Sequence, residues 1–508
     1  MPTNSGVIET GAVNRWITHV IASLAVFAAF LDSSLLVIAF PSIRRSFASV
    51  STAELSWVLT AYSILFGALL VPAGRLADQS GRKRTFLSGV ALFTIASALC
   101  AAAPSAGALI AARALQAVGA ALLLPTALAL VLAAFPPEKR TIAVTLWGAV
   151  AGLAYALGPS AGAFCIQYLG WRSAFYINLP IGVLVFVLGK MRLLESRDVT
   201  ARAMPDMLGV ALFITSVGLV TFGIVGSEVW GWLNLNTVGM MVAGVILFLI
   251  FIRRSLRVPS PAVDLTLFAD KNYGFANLAT FVFGIASLSM FLGNVLFLTQ
   301  IWHYSTLKAG LAIVPAPLTV IPVSIIGGRV ASRYGHRMLV FPGGILFGLA
   351  GISLMLRAKT TPDFISVWLP ATLLVGCGIG LCRPILGSAA VHGLTASRFA
   401  IGSAINQAIG QLGAVLGVAL AIAPLGRDPR AAGLSSFQHV FALFAMSGIV
   451  TSAASIGIRT KPLWSAAGSS QALAVSGEPK LEPSSQEISV CRYGTRRISD
   501  VNSGLPGS

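Results

Sequence analysis

The chain has 508 residues, of which 56% are hydrophobic and only 10% charged, with a mean hydropathy of +0.84. A soluble protein of this size has too little interior to hide so much apolar surface, so lipid is the solvent for most of the chain. The formal charge of +18 comes from Lys and Arg gathered in short loops between apolar runs, a pattern that sets membrane orientation and argues against nucleic acid as a partner.

Apolar runs bounded by charge or by Pro/Gly turns predict fourteen helices, near 16–40, 56–74, 86–103, 108–134, 142–166, 174–190, 207–226, 237–252, 274–300, 309–328, 338–356, 367–390, 402–424 and 438–457. Runs of this length exclude the alternating pattern of a barrel, and helices satisfy every backbone amide internally. The first run resembles a signal peptide. It lacks a small-residue cleavage site, however, and continues past Asp32 to Pro41, so a retained helix is expected. The critical boundary is the turn at 104–107; without it every later loop changes sides.

Charge tests the count independently. With the N-terminus inside, 25 of the 35 Lys and Arg fall in cytoplasmic loops and tails, 8 outside and 2 within helices. That bias supports an even number of spans with both termini cytoplasmic.

An internal repeat organises the chain. Gly74–Lys83 (GRLADQSGRK) reappears as Gly328–Arg337 (GRVASRYGHR), each time after the second helix of its half. Two related six-helix bundles are implied, with the seventh and eighth helices between them, an arrangement suited to rocking about a central site. The expected division is a cytoplasmic tail at 1–15, an N-terminal bundle at 16–190, two linker helices with their loops at 191–273, a C-terminal bundle at 274–457, and a disordered cytoplasmic tail at 458–508, where Ser, Gly and Pro abound.

Only Asp32, Arg113 and Arg383 place an Asp, Glu, Lys or Arg in the interior of a predicted helix, short of its last residue. Burying such a group is costly enough that function is the default reading. Asp32 is the sole acid among them. Burial disfavours its charged form and a nearby cation favours it, so its proton affinity can follow its surroundings. Counting depth at 1.5 Å per residue puts Asp32 about 13 Å and Arg113 about 8 Å below the outer ends of their helices, within reach of an Arg side chain. An Asp32–Arg113 contact is therefore expected, with Gln116 one turn along extending it; the competing reading has Arg113 bonded to helix ends. Arg383 lies close enough to its cytoplasmic end to snorkel.

Four motifs give these residues a family likeness. They are Leu31–Pro41 (LDSSLLVIAFP), the complete loop Gly74–Arg84, Arg113–Gly119 (RALQAVG), and Gly158–Ala163 (GPSAGA) followed by Trp171–Gly182 (WRSAFYINLPIG). In this order and on these helices the chain resembles the fourteen-helix drug:proton antiporter family of the major facilitator superfamily, from about residue 16 to 458. Val37, Ala117, Ala163 and Gly410 depart from the family's usual Asn, Gly, Gly and Arg, which puts a charge role on the thirteenth helix in doubt. The resemblance implies an all-α major facilitator fold of fourteen transmembrane helices. It also implies a proton-relay role for Arg113, a conformational latch made by Gly74, Arg75, Asp78, Gly81 and Arg82, and an antiport signature in Gly158, Pro159 and Gly162. Asp78 is expected against the start of the thirteenth helix near Gly402, where an anion is favoured; for the basic residues of the loop, orientation alone is the competing reading.

Trp57, Tyr62, Phe66, Tyr155, Asn294, Gln300, Asn406 and Gln411 are candidate cavity-lining residues, each equally open to a packing role. No GxxxxGK[ST] loop offers a phosphate cradle, so direct ATP use is not expected. Four cysteines lie in apolar segments and Cys491 in the tail, without disulfide or zinc spacing; His303, His336, His392 and His439 are scattered. Neither a metal, a cofactor nor an enzymatic activity is expected. The sequence reading is a monomeric exporter in the cell membrane that exchanges protons for small organic molecules, with transport of an endogenous metabolite as the alternative.

Overall fold

A computed structural model describes residues 5–196, 206–261, 263–392, 394, 396–425 and 433–459, side chains excepted at 5–14, at much of 137–156, at 228, 229 and 332, and at 396–400. The expected tail at 458–508 lies almost wholly outside the described residues. The main helices are α1 (Ser5–Ser46), α2 (Trp57–Ser80), α3 (Arg82–Ala102), α4 (Ala106–Ala134), α5 (Pro137–Leu169), α6 (Asn178–Arg192) and α7 (Met207–Trp230). They continue with α8 (Leu235–Ser255), α9 (Lys271–Gln300), α10 (Pro315–Tyr334), α11 (Arg337–Arg357), α12 (Leu369–Val391), α13 (Ala396–Ile422) and α14 (Leu434–Ser455). Short helical pieces at Thr52–Leu55, Ser173–Tyr176, Thr306–Ile313 and Phe364–Trp368 lead into α2, α6, α10 and α12.

Among the described residues thirteen segments are long and apolar enough to cross a membrane; α5, with 33 residues, is the further long helix. The fold is thus an all-helical, multi-pass membrane protein. The critical turn is present: α3 stops at Ala102, and Ser105 accepts a bond from the Ala108 amide to cap α4. The helical backbone of α1 starts at Ser5, ahead of the stretch Arg15–Ser46 that is apolar enough to cross a membrane.

Helix pairing repeats between the halves. In the first, α1 packs on α4, α5 and α6, α3 on α4 and α6, and α2 on α4; in the second, α9 packs on α12, α13 and α14, α11 on α12 and α14, and α10 on α12. The linker pair α7 and α8 pack on each other, and α7 leans on α2 and α13. Asp206, capping α7, receives two bonds from Arg254 at the end of α8, which closes that hairpin; the same guanidinium holds the Asp206 carboxyl below its usual range.

The two bundles are not joined evenly along their length. On the side where α1 ends, Leu31–Ile43 of α1 and Ala163 and Ile166 of α5 share one apolar core with α9 and the segment entering α10. On the side where α1 begins, Ile21–Ala29, Phe86–Phe93 and Ala117–Val131 form a separate core, to which the second bundle adds only Ala408 among the described residues. The apolar core that the two bundles share thus takes in the half of α1 at its end and not the half at its start.

Candidate functional site

At the centre of the first bundle three buried polar side chains converge on one carboxylate, and a fourth ties two of them together. Asp32 on α1 is 1% exposed. Its Oδ2 accepts from Arg113 Nη1 at 2.6 Å, and its Oδ1 accepts from Gln116 Nε2 at 2.9 Å and from Asn178 Nδ2 at 2.7 Å. Arg113 Nη1 also donates to Gln116 Oε1 at 2.6 Å and its Nε to the Val58 carbonyl at 3.3 Å. Ser97 ties the far side, its hydroxyl accepting from Gln116 at 2.7 Å and from Asn178 at 3.3 Å. The guanidinium lies 4.1 Å above the Tyr62 ring, which itself stacks on Phe66. A buried charge needs this much company: an unpaired carboxylate in low dielectric is costly, and charge-assisted bonds with a cation–π contact compensate it.

Local sequence explains how the pieces arrive. Arg113 and Gln116 are three apart on α4, so they share a face. Gly119, one turn further, lets α3 approach: a Cβ there would stand 2.5 Å from the Phe93 amide nitrogen. Asn178 is set by the segment before α6. Trp171 Nε1 donates to Ser46 at the end of α1, while Arg172 donates to the Ala101 and Ala103 carbonyls, capping α3 at its C-terminus. Those anchors hold Asn178 at the first turn of α6, over the carboxylate. Neither Asn178 nor Ser97 is singled out by sequence reasoning, because uncharged polar residues are common in membrane helices; the one available signal for Asn178 is its place in the Trp171–Gly182 motif.

Asp32 also sits beside the helix that carries Pro159. Gly158 and Gly162 of α5 face Ser34 and Leu35 of α1, and a Cβ at either glycine would overlap those side chains. Beyond Pro159 the same helix meets the second bundle, where Gly310 fits against the Pro159 carbonyl and Ala163.

In the segment from Gly74 to Arg84, Asp78 accepts two bonds from Arg82, at 3.0 and 2.9 Å; the side chains at the start of α13, 396–400, against which Asp78 is expected, lie outside the described residues. Gly74 faces Pro125 of α4 and Arg75 is partly buried on α2. Gly81, at φ +112°, has the left-handed backbone that favours glycine, and a Cβ there would meet the Glu195 carboxylate at 2.7 Å. Glu195, absent from the sequence candidates, accepts from the Lys83 and Arg84 amides at 3.0 and 3.2 Å, capping α3, while Lys83 Nζ reaches the Lys190 and Leu193 carbonyls.

The cavity candidates divide. Tyr62 and Phe66 belong to the Asp32 cluster. Trp57 instead packs on Phe222 of the linker helix α7. Asn406 donates to Asn277 and Thr280 of α9, a bond internal to the second bundle, and Asn294 is buried against Met290 of its own helix. Gln411 meets Gly67 at the α2–α13 seam. Gln300 lines a cavity on the side where α1 ends. The side chain of Tyr155 lies outside the described residues.

The profile of the Major Facilitator Superfamily matches residues 22–418. The chain belongs to that superfamily. It is 34% identical over 405 residues to the Multidrug resistance protein Stp of Mycobacterium tuberculosis, covering 80% of this chain and 74% of that one. It is also 34% identical over 426 residues to the Puromycin resistance protein pur8 of Streptomyces alboniger (83% and 84% covered) and 29% identical over 428 residues to the Tetracenomycin C resistance and export protein of Streptomyces glaucescens (82% and 78% covered). In fold it is similar to a peptide transporter POT crystallised with sulfate, at TM-score 0.62 and 18% identity over 88% of this chain and 94% of that one. A D-xylose-proton symporter is alike at TM-score 0.62 and 15% identity, over 88% and 98%. The chain is thus a superfamily transporter with drug-resistance and antibiotic-export relatives, not an enzyme.

Proposed function

We propose that this protein is a proton-coupled exporter, an antiporter of small organic molecules such as drugs or antibiotics, and that Asp32 is the residue that exchanges the proton. The observation that carries the reading is the buried Asp32 carboxylate held by Arg113, Gln116 and Asn178. Ionised, it neutralises Arg113 in a low-dielectric interior, where two charges at contact attract far more strongly than in water. Protonated, it releases the guanidinium, which keeps Gln116, the Val58 carbonyl and the Tyr62 face as partners. A neutral carboxyl then has a proton to donate, and Asn178 Oδ1, buried without a bonding partner among the described residues, can accept it once its amide turns over.

Proton binding in this way alters how α1 sits against α4 and α6. The shift passes through Ser34 and Leu35 to the α5 glycines, and through Pro159 and Ala163 to Gly310 of the other bundle. Bundles that rock about this contact expose a central site to each side in turn. With the N-terminus cytoplasmic, as the loop charges favour, the core shared by the bundles lies on the outer side, and Asp78 would meet α13 when the inner side closes. One proton crossing 100 mV releases about 2.3 kcal/mol, enough for roughly a fiftyfold gradient of a neutral molecule.

A dedicated exporter of one endogenous compound is the second reading, favoured by a relative whose name couples tetracenomycin C resistance with export. The test for coupling is reconstitution in proteoliposomes with an imposed pH gradient and a panel of antibiotics and lipophilic cations. The wild type should accumulate drug against its gradient, and Asp32→Asn should not, although it inserts normally. Gradient-driven accumulation that survives in Asp32→Asn would overturn the reading.

A further inference from the structure

Two of the histidines that look scattered along the chain meet in the fold. His336 follows α10 and caps the start of α11, while His392 caps the end of α12. Their ring centres are 5.3 Å apart, with the planes inclined at 58°, and both side chains are partly exposed.

The internal repeat shows what is unusual about this contact. Position for position, His336 stands where the first copy has Arg82, and Ser332 where it has Asp78. In the first copy those two residues pair with each other. The second copy cannot make that ion pair, and its side chain at 336 meets an imidazole from another helix.

Both rings hang from fixed backbone. The His336 carbonyl accepts from the Leu339 and Val340 amides at 3.2 and 3.1 Å, and the His392 amide donates to the Ala389 carbonyl at 3.3 Å. Ala389 also accepts from Asn272 of α9, which ties the end of α12 to its neighbour. Two imidazoles bound to one tetrahedral ion, at about 2.1 Å per nitrogen, have ring centres roughly 5 Å apart, as this pair does. An imidazole that gives one nitrogen to a metal keeps the other for a hydrogen bond, so a bond from either ring to the protein is compatible with ligation. The last carbonyls of α12 add a negative dipole end, which favours a cation.

We propose that His336 and His392 form a binding site for a divalent transition-metal ion of the zinc or copper kind, each ring giving one nitrogen and water filling the other positions. Imidazole nitrogen suits Zn²⁺, Cu²⁺ and Ni²⁺, whereas Mg²⁺ and Ca²⁺ take oxygen ligands, so the site separates the two classes. With two protein ligands it is an exchangeable site, unlike the closed four-ligand sites that hold a fold together. The bound ion ties the α10–α11 turn to the end of α12 within the second bundle. Metal binding here does not rest on the function proposed above.

The test uses full-length protein without a histidine tag, in nanodiscs, stripped with a chelator and titrated with ZnCl₂ by calorimetry. Losing either ring, in His336→Gln or His392→Gln, should weaken Zn²⁺ binding by about tenfold or more, since even an outer-shell partner of a metal is worth that much. His336→Cys, which supplies a thiolate instead, should bind Zn²⁺ again, so the loss is of a ligand and not of the fold. With Cu²⁺ as the probe, electron spin echo modulation should show two imidazoles in the wild type and one at most in each Gln variant. Asp32→Asn should bind Zn²⁺ like the wild type, which separates this site from proton coupling. Zn²⁺ affinity unchanged in both Gln variants, or Cu²⁺ bound to the wild type without a second imidazole, would overturn the proposal.

Discussion

The two bundles pair their helices in the same pattern, yet their interiors are made of different matter. The first has a buried ion pair at its heart, with Gln116, Asn178 and Ser97 around it. The second buries no such pair among the described residues. Where α9 ends its interior is aromatic, with Phe297 stacked 5.8 Å from Trp368 and edge-on to Phe437 and Phe441, and a polar contact elsewhere in it is the neutral Asn277–Asn406–Thr280 group. One packing plan therefore serves two purposes. On the proposed reading, the neutral, close-packed bundle is the rigid partner, while the charged centre lets its bundle change state with one proton.

If that contrast is right, damage should fall unequally. The largest effect is expected from Gly158→Leu, whose side chain has to displace Ser34 two residues from Asp32. Overpacking here costs about 1–3 kcal/mol and separates α1 from α5, so drug export should be lost while inserted protein remains, as resistance assays beside membrane immunoblots will show. Asn406→Leu in the other bundle should retain export. Next comes Asn178→Leu, which takes one charged hydrogen bond, about 1.5–3 kcal/mol, from the carboxylate. Coupled export in vesicles should fall about tenfold, with partial rescue by Asn178→Ser.

Glu195→Gln should act more mildly. It removes the anion from the start of α3 and weakens the bonds to the Lys83 and Arg84 amides. A loss of about 1 kcal/mol is expected, read as a fall in thermal midpoint of a few degrees. The smallest effect belongs to the second bundle and depends on pH. His336, 5.3 Å from the ring of His392, has its imidazole pushed down to about 4 by burial and by that neighbour. Unfolded, the group binds its proton near 6.5, so the unfolded state gains protons first as pH falls. Stability from this site is full above about 6.5 and is lost progressively toward 4. The thermal midpoint should drop over that window, less so in His336→Gln.

Most of the fold and the two charged residues could be read directly from the sequence. Long apolar runs admit few interpretations in lipid, and an Asp or Arg inside one stands out because it is expensive there. Depth along a helix follows from counting, which is why Asp32 and Arg113 could be matched across two helices. Rotation about the helix axis does not follow from counting. That is why Trp57 turns out to face the linker helix, and why Asn178 and Ser97 are found only when α3 and α6 are in place. Glu195 is invisible for another reason: its partners are backbone amides 112 and 111 residues away, which carry no side-chain signature.

The most direct test of Asp32 is to count protons when cargo binds. Purified protein in nanodiscs, titrated with a transported drug in weak buffer containing a pH indicator, should release close to one proton per drug bound near the midpoint of its coupling. Asp32→Asn should bind the drug and release none. Equal proton release from the wild type and the variant would contradict the account, because the exchanged proton would then belong to some other group.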